Sequence, residues 1–60
     1  MVSLELLNLS IAIVEQREKL GGVIAIDFAI RQAANELGVD VDGQMLEILY
    51  GEIHSILTSV

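Results

Sequence analysis

A chain of 60 residues forms one small domain at most. It is 53% hydrophobic, carries nine acidic and three basic residues for a net charge of −6 with His54 neutral, and contains no Cys, Pro or Trp. These values exclude a disulfide scaffold, a cysteine-based zinc site, a proline-rich linker and a disordered segment, and the sign of the charge argues against a basic nucleic-acid module.

Three segments have helical periodicity, separated by two glycine-marked breaks. The first is predicted over about residues 4–20. Ser3 is placed to cap its N-terminus, with Val2 and Leu7 positioned as a hydrophobic staple. Lys19 in the last turn suits the negative end of the helix dipole, and Gly21 supplies the stop. Leu4, Leu7, Ile11 and Val14 form one apolar seam, whereas Leu6, Leu9, Ile13 and Leu20 form a second. Ser10 and Arg17 fall in the narrow gap between them, and Glu5, Asn8, Ala12, Glu15 and Lys19 make a polar strip beyond. A helix with one solvent face needs a single seam, so the other is expected to meet another chain. The seam ending in Leu20 reaches the glycine break and suits contact within the chain. The seam that would continue at Glu18 suits contact between chains, where a terminal charge stays at a wet rim. On this reading, Ile11→Asp weakens association more than it disturbs helix content.

The second helix is predicted over about residues 23–37. Gly22 offers no capping side chain, and Val23–Ile26 also reads as a short strand, but the helical period continues through Ile30, Ala33 and Leu37. Gly38 is the left-handed stop, after which Val39 folds back toward Ala34. Val23, Ile26, Ile30, Ala33, Ala34 and Leu37 form the inward face. Ile24 and Phe28 lie opposite, flanked by Arg31 and Asn35, and an outward Ile–Phe pair suits an interface.

The third helix is predicted over about residues 43–57, capped by Asp42, with Val41 and Leu46 as the staple. Met45, Leu46, Leu49, Ile53, Ile56 and Leu57 are expected inside, with Tyr50 at the edge. Gln44, Ile48, Gly51 and Ser55 share another face, where the small Gly51 and Ser55 leave room for a second helix.

Six Val, eight Ile, nine Leu and two Met give the chain 25 large aliphatic side chains. A three-helix monomer of this size buries about 15 of them. The surplus exceeds scattered surface singles, and small scaffolds without disulfides or metals reach stability by self-association. The expected fold is therefore all-α, a single domain over 1–60 with short glycine-marked connections, assembled as a homo-oligomeric helical bundle. Its expected self-association interface comprises Leu4, Leu7, Ile11, Val14, Ile24 and Phe28.

No motif supplies a convincing catalytic, cofactor or metal site. Gln32–Val39 resembles the first helix and turn of a helix-turn-helix, which makes a DNA-binding module around residues 30–52 the alternative function. The segment that would read DNA, Asp42–Glu52, offers Asp42, Glu47 and Glu52 with no Lys or Arg. Asp40-Val41-Asp42-Gly43 has the start of a calcium-loop pattern, but the first and last ligand positions of such a loop fall on Gly38 and Leu49. The two aspartates read instead as turn and capping residues. His54 has no second His or Cys near it in sequence, and Ser55 and Ser59 lack an activating arrangement.

Glu15 with Lys19 and Asp27 with Arg31 stand at helical pair spacing. Glu36, Asp40, Asp42 and Glu47 cluster around the second break without a basic neighbour, an acidic corner suited to a basic protein partner. The longest apolar run is four residues, too short for a membrane span, and the acidic charge disfavours anionic lipid surfaces. No basic residue precedes the first apolar stretch, so no export signal is expected, which is consistent with the cytoplasmic location expected here. The expected function is that of a non-enzymatic interaction or regulatory protein presenting an oligomeric helical surface.

Overall fold

The computed structural model describes residues 4–59, and within them the chain is all-helical, with three helices and no strand. Helix α1 spans Leu4–Lys19, α2 Ile26–Leu37 and α3 Gly43–Thr58. The proposed Ser3 cap and the Val2 half of its staple lie outside the described residues.

Both glycine stops form as their sequence context predicts. Gly21 adopts φ +81 and Gly38 φ +68, the left-handed region open to glycine at no steric cost. At the end of α1, the Gly22 N–H donates to the Arg17 carbonyl at 3.0 Å and the Gly21 N–H to that of Glu18 at 3.0 Å. At the end of α2, the Val39 N–H donates to the Ala34 carbonyl at 3.0 Å and the Gly38 N–H to that of Asn35 at 3.3 Å. Each is a Schellman closure that satisfies carbonyls a helix end leaves open. Helix α3 begins where Asp42 accepts the Met45 N–H at 2.8 Å through Oδ1, the cap its sequence implies. Val41 and Leu46 are both half-buried against the core, as a staple requires.

The start of α2 departs from the periodicity. It begins at Ile26, three residues later than predicted, with Ala25 extended at the N-cap and making no side-chain hydrogen bond. Gly22 has already committed its N–H to closing α1, so the chain has to turn before a new helix can begin. Val23 and Ile24 are β-branched and gain little from helical geometry. Residues 22–25 therefore run outside any helix, and Val23, expected inside, is 94% exposed. Asp27 in the first turn gives the late start a favourable charge at the positive end of the dipole.

The core gathers Leu6 from α1, Ile30, Ala33 and Ala34 from α2, and Leu49 and Ile53 from α3. The α1–α2 contact is the most extensive of the three helix pairings, and α1–α3 the least. The inward line of α1 is Leu6, Ser10 and Val14, spaced four apart, with Ser10 fully buried. Its hydroxyl donates to the Leu6 carbonyl at 2.7 Å, so burial leaves no hydroxyl unpaired.

This corrects the two-seam reading of α1. The gap that holds Ser10 is the centre of the buried face, and the two seams are its shoulders. Leu7 and Ile11 on one side and Leu9 and Ile13 on the other are half-buried and pack against the same core. Val14, expected at an interface, is buried within its own chain. Leu37 and Ile56, expected inside, are partly exposed because they lie in the last turns of α2 and α3, beyond the central layer.

The glycines give two opposite expectations. Gly38→Ala places a Cβ on a left-handed residue and lowers stability by about 1–2 kcal/mol. Gly51 lies inside α3, and the position its Cβ would take is open space, so Gly51→Ala raises stability by up to about 1 kcal/mol. Urea unfolding should shift the midpoint down in the first variant and up in the second, with unchanged slopes.

Candidate functional site

The apolar side chains left in solvent fall mainly at two places. The first is the α1–α2 corner. Leu20 follows the last residue of α1 and is 80% exposed, Val23 stands in the extended connection, and Phe28 on the outward side of α2 is 57% exposed. Ile24 between them is half-buried. Because residue 24 is outside the helix, Ile24 and Phe28 do not form the helical pair that their spacing implied. The corner is fixed by the Schellman closure and by the stem of Arg17. A Cβ on Gly22 would lie 2.8 Å from Arg17 Cδ, so the arginine side chain lies against the glycine backbone.

All three basic residues of the chain, Arg17, Lys19 and Arg31, flank this corner and are exposed. Glu15, Glu18 and Asp27 stand among them, also exposed. Among the described residues, the Glu15–Lys19 and Asp27–Arg31 spacings do not close into ion pairs. These side chains line different surfaces: Arg17 borders a concavity with Leu20, Gln32 and Glu36, whereas Glu15, Glu18 and Lys19 border one with Leu57.

The second place is the outer side of α3. A shallow groove there is lined by Glu47, Ile48, Gly51, Glu52, Ser55 and Ile56, and nothing approaches within 4 Å of the position a Gly51 Cβ would take. Tyr50 and His54, one turn apart on α3, stack with ring centroids 6.3 Å apart and planes 8° from parallel. This helix follows α2 and the Gly38 turn as the second helix of a helix-turn-helix would. It carries Glu47 and Glu52 and no Lys or Arg.

The acidic corner is spread over three local structures. Glu36 lies in the last turns of α2, Asp40 in the connection, and Glu47 in the first part of α3, all exposed. Asp42 uses an oxygen for the α3 cap. Glu36 stands near the negative end of the α2 dipole, whose last turn has no basic residue, so the local potential is negative. Among the described residues, no three His, Cys, Asp or Glu side chains converge as a metal site. No helix of the structure is long and apolar enough to cross a membrane.

Of the six side chains that the sequence pattern places at a self-association interface, only Leu4 and Phe28 stand mainly in solvent, and they lie on different helices. Leu7, Ile11 and Val14 serve the chain's own core. Leu20 and Val23, inward by their sequence pattern, are outward. The signal for this is the double glycine: a helix that closes at Gly21–Gly22 strands Leu20 at its end and leaves Val23 in the turn. Compared with protein-family models, with curated proteins and with solved structures, the chain finds no match.

A pair of substitutions separates core from surface. Ile11→Asp places a carboxylate against the core and lowers unfolding stability by about 1–3 kcal/mol. Leu20→Asp leaves the far-UV circular dichroism and the urea midpoint of the isolated fold unchanged. The packing of Ile11 against the core bears against the expectation that Ile11→Asp weakens association more than it disturbs helix content.

Proposed function

We propose that this protein is a non-catalytic, self-associating interaction protein whose assembled helices present an acidic surface to a basic macromolecular partner. The observation that carries the reading is the apolar α1–α2 corner. Leu20, Val23 and Phe28 are three large hydrophobic side chains within nine positions of the chain, all mainly in solvent. Isolated exposed hydrophobes are ordinary on a monomer, whereas neighbouring ones rimmed by charged residues mark interaction surfaces. A small core drawn from three short helices leaves little reserve of stability, and association adds to it by mass action.

The partner class follows from charge. Glu36, Asp40, Asp42, Glu47 and Glu52 have no Lys or Arg among or after them in the chain, so this side of the molecule repels nucleic acid and attracts cations. A cytoplasmic regulatory role is the setting in which such a protein would act.

Sedimentation equilibrium at micromolar concentration tests the reading. A mass above the 6.5 kDa of one chain, rising with concentration, is expected. A single 6.5 kDa species across the range rejects self-association.

A further inference from the structure

Resting on the reading that the partner is basic, we infer that it docks in the outer groove of α3 and that the docked element is a basic amphipathic α-helix seated across Gly51. The residues lining the groove form two rows spaced four apart on α3: Glu47, Gly51 and Ser55 in one, Ile48, Glu52 and Ile56 in the other. All six are exposed. Ile48 and Ile56 are thus large aliphatic side chains left in solvent, on a helix whose inner side already gives Leu49 and Ile53 to the core.

Gly51 is a residue the fold does not call for. It lies inside a helix, where glycine is less favourable than any residue but proline. Its φ is not positive, and a Cβ there would meet nothing within 4 Å. No contact within the chain requires its small size, so what it provides is a gap on the outside, between Glu47 and Ser55 in one row. A gap of this kind receives a side-chain ridge of a second helix. An extended peptide has no comparable seat, because the backbone of α3 is spent on its own hydrogen bonds and offers no strand edge.

Charge names the class of that helix. Glu47 and Glu52 both line the groove, no cation lines it, and neither carboxylate has an ion pair or hydrogen bond among the described residues. An Arg or Lys side chain matches this surface along its length. Its methylene stem covers isoleucine and the bare backbone at Gly51, and its head meets a carboxylate. The same carboxylates oppose other occupants. A second copy seated by two-fold symmetry would set Glu47 and Glu52 against themselves, and nucleic acid would bring phosphates to them.

The probe is a synthetic peptide of about 18 residues, long enough to form a helix, with Ala and Leu on one face and Arg along its borders. It is titrated calorimetrically into the full chain at low salt, beside a second peptide with Glu in place of each Arg. The Arg peptide is expected to bind at least about tenfold more tightly than the Glu peptide. Gly51→Leu, which fills the gap, and the double variant Glu47→Lys with Glu52→Lys are each expected to weaken it about tenfold or more, with unchanged far-UV circular dichroism. The double variant Glu36→Lys with Asp40→Lys, at the other acidic corner, is expected to weaken it less than about threefold. If the Arg peptide binds the wild type and either groove variant equally well, the partner is still basic but the groove is not its site, and this inference alone fails. If Gly51→Leu lowers the sedimenting mass of the protein by itself, the occupant is a second copy and the inference is overturned. Equal affinity for the two peptides, or no binding of the Arg peptide at millimolar concentration, sinks the basic-partner reading and this inference together, leaving self-association standing.

Discussion

The packing of α1 on α2 through small side chains is the contact on which the rest of this structure depends. Ser10, Ala29, Ala33 and Ala34 are all buried, and none has more than two heavy atoms beyond its Cα. Small residues let two helices approach closely, and the large ones, Leu6, Ile30, Leu49 and Ile53, then fill the space in front of α3. Ser10 fits this position because its hydroxyl bonds back to the preceding turn and behaves, toward its neighbours, as a small apolar group. With the inward line of α1 fixed on Ser10, Leu7 and Ile11 fall on one shoulder of the buried face and Leu9 and Ile13 on the other.

What is legible in the sequence is punctuation. Gly21, Gly38 and Asp42 act through local backbone geometry, which needs no tertiary information, and each occupies the place its pattern implies. The helix faces are less legible. Scoring by hydrophobicity makes a serine a gap between two seams, whereas packing makes it the centre of one face, because only the partner helix decides how large a central residue can be. The start of α2 is obscured for a related reason: Val23 and Ile24 keep the apolar period going through a segment whose direction is set by the closure of α1. At the candidate site, Phe28 is legible as an outward aromatic, whereas the exposure of Leu20 and Val23 is not, since it arises only once the chain turns at the two glycines.

Charge and hydrophobicity are arranged along the molecule in complementary fashion. Leu20, Val23 and Phe28 stand in solvent within a stretch, residues 15–31, that holds three basic and three acidic residues, whereas the other six charged residues of the chain are all acidic. A high net charge keeps small hydrophobic proteins apart in solution, while a neutral patch limits the surfaces through which they can meet.

The placement of the aromatic residues has a consequence for how this protein can be observed. Its one Tyr and one Phe are both at the surface, and it has no Trp. Tyr50 stacks on His54 outside the aliphatic interior. The near-ultraviolet signal of the protein therefore comes chiefly from the outer face of α3 and is silent about the packing of Leu6, Ile30, Leu49 and Ile53. Tyrosine emission follows the environment of that outer face, and it can change while the interior remains intact. Loss of the interior is visible instead in backbone signals, so two spectroscopic windows on this small protein look at two physically separate regions.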